Sequence, residues 1–337
     1  MMLPESLPGY ILYLLKSSSN SDCMGGGELV QTHISYVTLL GAFVYKWKKP
    51  VDLGFLDFTR LESRNYFCEE EVRLNRRLCP EMYLGVVTIN YDGKNYSLQG
   101  DGEIVEYGVK MVRLPESRMM HRAISSGWIC EKHLTNIVDL LVPFYENAKI
   151  GGLKDSFGHH ETVAKAVYEN FEQTAPFIGS DVLNVKTFEA ILKFSTKFLK
   201  NDQLFVQRIE EERIRECHGD LHSGNICLTD KIQIFDCIEF SDSLRFTDVA
   251  ADIAFLAMDL DYHGLFDLSN QFVTAFVERS KDYAILDILK FYKCYRAYVR
   301  GKISLLTAND PCVSSGDAAQ AYLNARRFFT LAESYGV

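Results

Sequence analysis

Asp220, Asn225 and Asp236 are the side chains whose types and spacing could do chemistry. They lie in His218-Gly219-Asp220-Leu221-His222-Ser223-Gly224-Asn225 and in the run Ile226-Cys227-Leu228, Thr229-Asp230-Lys231, Ile232-Gln233-Ile234-Phe235-Asp236. Two short apolar runs flank a polar turn centred on Asp230-Lys231, so the chain is expected to go out and back as a hairpin. Asn225 and Asp236 then belong at its open end. A carboxylate beside an amide oxygen is a hard donor pair suited to magnesium, which takes few protein ligands and fills its shell with phosphate oxygens and water. Asp220 precedes Asn225 on the loop, where it is left to accept a hydroxyl proton.

Residues of these types are also common beside ordinary turns, so the elements that would position them matter. Upstream, Glu28 to Lys46 alternates in short apolar runs around a tight turn at Gly41-Ala42, which predicts a hairpin. Thr59-Arg60-Leu61-Glu62 has the form of a capping box and predicts a helix from about Arg60 to Leu78, stopped by Pro80, with Phe67, Glu71, Leu74 and Leu78 on one face. Lys46 ends an apolar strand and Glu71 sits on the inward face of the following helix, so an ion pair between them is expected. Lys48 and Lys49 are alternatives to Lys46, and Glu70 to Glu71.

Tyr83 to Asn90 and Glu103 to Met111 read as strands with Asp92-Gly93 as the turn between them. Beyond Leu114-Pro115 the pattern becomes helical: 131–148, 161–173, 187–212, 249–262, 265–279, 283–306 and 318–334. The expected architecture is α+β and two-lobed: an antiparallel-sheet lobe with one helix over residues 1–115, and a larger, mainly helical lobe over 116–337.

A loop Asp, then an Asn, then an Asp after the next strand, preceded by a strand Lys and a helix Glu, is the order found in protein kinases. The chain resembles the aminoglycoside phosphotransferase-like branch of the protein-kinase fold, through HGDLHSGN, the Asp of IFDCIEF, and FTDVAADIAFL. More narrowly it is similar to the kinase-like half of bacterial bifunctional phosphotransferase and ATP-binding proteins, through THISYV, VYKWKKPVDLGFLDF, CEEEVRLNRRL, VKM and YRAYVRGK, over about Gln31 to Tyr335. The resemblance implies an ATP- and Mg2+-dependent phosphotransferase. In it Asp220 is the base, Asn225 and Asp236 are the metal ligands, Lys46 is the phosphate lysine and Glu71 its partner. Val109 to Met111 is the adenine-facing hinge, and His218 and Asp252 support the catalytic loop. Such relatives commonly continue into a P-loop domain. No G-x-x-x-x-G-K-[ST] occurs here, so a stand-alone or truncated form is expected, with a separate P-loop domain or protein as a candidate partner.

Two departures stand out. Gly219 replaces the usual Arg of protein kinases, which argues against control by a phosphorylated activation loop. The first hairpin lacks a G-x-G-x-x-G loop; its turn is Thr32-His33-Ile34-Ser35, which leaves Ser35 as a candidate phosphate contact, and Gly25-Gly26-Gly27 as a lead-in.

For the acceptor the sequence leaves two options. Lys290, Lys293, Arg296 and Arg300 recur along one helix, and Arg296 and Arg300 would suit an anionic substrate. Glu239, Asp242, Asp259 and Asp261 would suit a cationic one. Rival readings of the whole are a protein Ser/Thr kinase-like regulator and a nucleotide-sensing pseudokinase.

The net charge of −9 and pI near 5.5 argue against nucleic-acid binding, which needs a cationic surplus. Nine cysteines without a CxxC pair fit reduced thiols in the cytoplasm. The start, Met1 to Leu15, has no basic n-region and too short an apolar run to span a membrane, so neither secretion nor insertion is expected.

Overall fold

The computed structural model describes residues 7–16, 27–54, 56–151, 156–311 and 313–336. Gly25 and Gly26, and Cys23 and Cys312 of the nine cysteines, lie outside the described residues. The chain divides into two compact units, Met1–Met119 with Ile226–Asp242, and Met120–Asn225 with Ser243–Val337.

In the first unit β1 (Glu28–Gln31), β2 (Ser35–Leu40), β3 (Phe43–Lys48), β4 (Tyr83–Tyr91), β5 (Tyr96–Leu98) and β6 (Glu103–Val112) form one antiparallel sheet in the order β1-β2-β3-β6-β4-β5. Alternation along β3 sends Tyr45 and Trp47 to one face and Val44, Lys46 and Lys48 to the other. α1 (Gly9–Lys16) buries Tyr10, Ile11 and Leu14 against Tyr36, Leu40, Tyr45 and Trp47. α2 (Leu61–Asn75) packs Cys68 and Val72 against Tyr83, Val109 and Met111. The sequence pattern showed one helix here. α1 escapes it because Ile11-Leu12-Tyr13-Leu14-Leu15 is an unbroken apolar run with no 3.6-residue period. Gly108 lies opposite Trp47 in the β3–β6 pairing, and a Cβ there would come within 2.4 Å of the indole, so glycine lets the buried ring lie flat on the strand.

Two local expectations are corrected. The capping box at Thr59 does not form: Arg60 is the N-cap with no side-chain bond, and the Thr59 hydroxyl donates instead to Asp57 at 2.6 Å. The Asp92-Gly93 turn joins β4 to the short edge strand β5, not to β6. The Asp92 carboxylate accepts the N–H groups of Lys94 and Asn95, and β6 then pairs with the other edge of β4.

The hairpin β8 (Ile226–Cys227) and β9 (Gln233–Ile234) pairs Ile226 with Ile234 and Cys227 with Gln233. It belongs to the first unit, whereas the division drawn from sequence left it with the second. The Leu228 N–H donates to Arg118 O at 2.8 Å and Met119 bridges to Cys227, contacts between segments far apart in sequence that periodicity does not reveal.

The second unit contains α3 (Met120–Ser125), α4 (Glu131–Asn147), α5 (His160–Thr174), α6 (Val185–Leu199), α7 (Asp202–Glu210), the strand β7 (Ile214–Glu216) paired with β10 (Phe246–Asp248), α9 (Val249–Tyr262), α10 (Phe266–Ser280), α11 (Ile285–Ala308) and α12 (Ser315–Ser334); α8 is the single turn Asp242–Arg245. One helix over 187–212 was expected. Two are found, broken at Asn201, whose φ of −95° and ψ of 76° leave the helical region. α9 is buried from Val249 to Asp261, enclosed by α10, α11 and α12. Its N-cap Asp248 shares Arg208 with Asp282, a buried triad within the second unit.

Candidate active site

On the first unit, the α2 face of β3 carries a buried charge network. Lys46 Nζ lies 3.0 Å from Glu71 Oε1 and 2.6 Å from Asp236 Oδ1. Lys48 Nζ lies 2.9 Å from Glu71 Oε2 and bonds Glu239. Both lysines therefore reach Glu71, because residues two apart on a strand point the same way. Glu70 faces outward and pairs with Arg73, and Lys49 covers the ring of Tyr36. Burial opposes the charge on Lys46, but the carboxylates of Asp236, Glu71 and Glu239 outweigh it and hold its pKa above the ordinary lysine value. Glu71 is likewise pushed up by burial and pulled down further by Lys46 and then Lys48, to about 2. Glu239 goes the other way: burial and the neighbouring Glu71 raise it despite Lys48.

Asp236 follows β9 and adopts φ = 64°, a left-handed backbone that Asp and Asn tolerate better than other side chains. Its N–H donates to Tyr83 Oη at 3.2 Å, and that of Cys237 donates to Asn75 Oδ1 at 2.9 Å. Asn75 is buried, and its amide also donates to Glu71 O. The turn carrying Asp236 is thus fixed by the end of α2 and by β4, with the carboxylate half-exposed.

Val109 and Met111 do not form a linker. They lie inside β6, with Val109 paired to Lys46 and Val86, and Met111 to Val44 and Tyr83. With both strand edges occupied, their backbone groups are committed to the sheet, and the strand runs on to Val112. Ser35 begins β2; its hydroxyl is buried without a hydrogen-bond partner among the described residues, while Thr32 and His33 are the exposed residues of that turn.

On the second unit, Asp220 occupies a loop held from behind. The Asp252 carboxylate accepts the N–H of His218 at 2.7 Å and of Gly219 at 2.9 Å, and the hydroxyl of Tyr145. Gly219 has φ = 86°, a conformation that suits glycine and accounts for the missing Arg. The Asp220 N–H donates to His218 Nδ1, and Asn225 Nδ2 donates to both the carbonyl and Oδ2 of Asp220, each at 3.0 Å. His222 Nδ1 accepts the N–H of Gly224, which leaves Nε2 as the protonated nitrogen, 3.4 Å from Asp220 Oδ2. Burial opposes ionisation of Asp220, but His222 chiefly, then Arg300 and His218, hold its carboxyl well below the usual range.

Arg296 is enclosed: its Nε donates to Ala251 O, and its guanidinium lies over Phe255 and 3.9 Å from Asp252. It braces α9 rather than facing an acceptor. Arg300 is only half-buried, and its charge acts on Asp220.

Pattern reading missed Asn75, Tyr83, Glu239 and His222 as site residues. Glu239 had been weighed only for an acceptor, and His222 lay unused inside the motif itself.

Asp236 offers a carboxylate oxygen. Asn225, whose Nδ2 is turned to Asp220, offers an amide oxygen that bonds no other described residue. Among the described residues no three His, Cys, Asp or Glu side chains gather as a metal site. The Asp236 and Asn225 oxygens are each hard donors of the kind magnesium takes.

The chain has the protein-kinase-like fold. The choline kinase of Cryptosporidium parvum matches with a TM-score of 0.56 at 10% identity, over 97% of this chain and 93% of that one. The GDP complex of a mutant aminoglycoside 2'-phosphotransferase-IIIa gives 0.53 at 12% identity over 95% and 96%, and amicoumacin kinase in complex with AMP-PNP, Ca2+ and Ami gives 0.52 at 11% over 90% and 88%. In sequence, uncharacterized proteins of Mycobacterium tuberculosis and Mycobacterium bovis are each 32% identical over 278 residues, 82% of this chain and 54% of theirs. The chain spans about half the length of these curated relatives. No family model matches it.

Proposed function

We propose that this chain is a phosphotransferase that moves the γ-phosphoryl group of ATP to a hydroxyl of a small molecule. The observation that carries this reading is the Lys46 ammonium held between Glu71 and Asp236, with Glu71 taking its place on α2. Protein kinases use a Lys–Glu pair of this kind to engage nucleotide phosphates, beside a metal-binding Asp. The solved fold neighbours, a choline kinase and an amicoumacin kinase among them, support a small-molecule acceptor.

Lys46 would bind the phosphates, with Glu71 fixing its direction. Asp220 would take the proton of the acceptor hydroxyl; its low pKa keeps it ionised, and the Asn225 amide and the His222 Nε2–H orient it. Asp252 holds the backbone of that loop rigid, so the carboxylate is positioned before the acceptor arrives. Asn225 and Asp236 would hold Mg2+, which when bound supplies positive charge to the phosphate oxygens. Among the described residues no helix is long and apolar enough to cross a membrane. No two of the described cysteines form a disulfide, which supports a cytoplasmic location.

The test is a screen of cell metabolites and proteins incubated with the pure protein and labelled ATP, with and without magnesium. Label on a small molecule that disappears with Asp220→Asn supports the reading. Label on protein alone, or nucleotide binding without any transfer, would replace it with a protein kinase or a pseudokinase respectively.

A further inference from the structure

Both lysines of β3 reach Glu71, but from different surroundings. Lys46 and Asp236 stand at the open end of the network, with 14% and 44% of their side chains exposed, whereas Lys48, Glu71 and Glu239 keep only 1%, 0% and 4%. Charges of alternating sign run Asp236, Lys46, Glu71, Lys48, Glu239, all within the first unit. The two ends of this run lie on the same short segment, so β3 grips that segment twice, with Glu71 of α2 held between the two lysines.

Lys48 is closed off from any ligand. Its ammonium is surrounded by Glu71, Glu239 and the ring of Phe58, which is itself fully buried and centred 5.0 Å away. Burial opposes its charge, but Glu239 and then Glu71 outweigh it and keep the pKa above the ordinary lysine value. Lys46 is the lysine that can change partner. In the phosphotransferase reading it turns from Asp236 toward the nucleotide phosphates, and Glu71 must stay in place to direct it. Lys48 can hold Glu71 through that exchange, because it bonds Oε2 while Lys46 bonds Oε1.

We propose that Lys48 is a positioning residue of the nucleotide-phosphate site: its ammonium locks Glu71 and Glu239 together, so that Lys46 and Asp236 are aligned before nucleotide arrives. This deepens the phosphotransferase reading and rests on it. Protein kinases control activity through the placement of the helix that carries the Glu; here a second, dry lysine pins that helix inward. Preorganisation of this kind raises affinity for the phosphates without adding a contact to them.

The experiment is calorimetric titration with two probes, AMP-PNP with magnesium, and adenosine, which lacks the phosphates. The proteins are the parent, Lys48→Met, and Lys48→Met combined with Glu239→Met. A general defect of the fold weakens both probes, and a defect of positioning weakens only the one that carries phosphates. AMP-PNP should bind both variants about tenfold more weakly, the worth of one misdirected charge-assisted hydrogen bond, while adenosine binds as it does to the parent. The double variant separates affinity from stability, because it removes the charge that Lys48→Met leaves unpaired; it is read alone if the single variant does not fold. Parental AMP-PNP affinity in the double variant, or equal losses for the two probes, would make Lys48 a residue of stability only and overturn the proposal. Weakened AMP-PNP binding supports the positioning role even where the parent transfers no phosphate, an outcome that fails the phosphotransferase reading alone. A parent that binds no AMP-PNP overturns both.

Discussion

Lys48 Nζ lies 2.9 Å from Glu71 Oε2, on the oxygen that Lys46 leaves open. Lys48 is fully buried and carries two carboxylates, Glu71 and Glu239. The pair ties the chain just after Asp236 to β3 and so helps to fix the Asp236 turn. Removing one partner of a buried ion pair strands the other in a medium that solvates it poorly. Lys48→Met should therefore cost about 3–5 kcal/mol of stability. Adding Glu239→Met, which removes the stranded charge, should restore most of it. Urea unfolding of the single and double variants checks this; equal losses in both would show that Glu239 is not the group left exposed to the cost.

Asp236→Asn isolates charge from backbone. Asn also tolerates the left-handed φ of 64° at this position, so the turn should survive. The carboxylate that would meet the metal is gone, and Lys46 loses a partner. Nucleotide affinity should lose its dependence on magnesium, as titration with and without the metal would reveal. A retained magnesium dependence would place the metal ligands elsewhere.

Asp220→Asn should reduce transfer by ~10²-fold or more, the scale of a general-base contribution, while nucleotide affinity stays within a few-fold. The carboxylate is proposed to act on the acceptor proton and not on the phosphates, so the loss belongs in kcat. Parental turnover would remove Asp220 from the role.

The acid limb of stability is set in part by Glu71. Its pKa falls from 4.5 to about 2 in the folded state, because Lys46 and Lys48 outweigh burial. Folding then favours the ionised form, so the stabilisation is complete above about pH 4.5 and is lost as pH falls toward 2. Glu239 has the opposite sign, with a raised pKa, and does not add to this loss. Stability of the parent should drop by up to ~3 kcal/mol across that window from this group. Glu71→Gln should flatten the curve there, and equal slopes in parent and variant would exclude Glu71 as the titrating group.

How much of this was legible follows the range of the interaction. The Lys46–Glu71 pair could be expected because strand alternation and helix period each turn a charge inward, and the two elements are neighbours in sequence. That Lys48 shares Glu71 was contained in the same alternation and was entertained only as a substitute for Lys46. The β8–β9 hairpin was visible in its two apolar runs, but its membership of the first unit depends on Arg118 and Met119, over a hundred residues away. Arg296, on a basic helix, was expected to suit an anionic substrate. Its burial depends on α9, and a helix apolar on every side gives no sign of which neighbour will face it.

Gly219 shows how a local substitution is explained only by the backbone. In sequence it marks a lost Arg. In the structure its φ of 86° places the His218 and Gly219 N–H groups together on the Asp252 carboxylate, with the Asp220 N–H turned to His218 Nδ1. Any Cβ strains that conformation by about 1–2 kcal/mol. Relief would come from rotating the very peptide that carries Asp220. Gly219→Ala should therefore lower stability by about that amount and reduce kcat well beyond what the stability loss explains, with nucleotide Kd unchanged. Gly219→Arg, which would restore the protein-kinase residue type, should be no better than Gly219→Ala. Thermal unfolding together with steady-state transfer separates the two effects: a variant that loses stability but keeps kcat would show that the loop geometry at Asp220 does not depend on this left-handed residue.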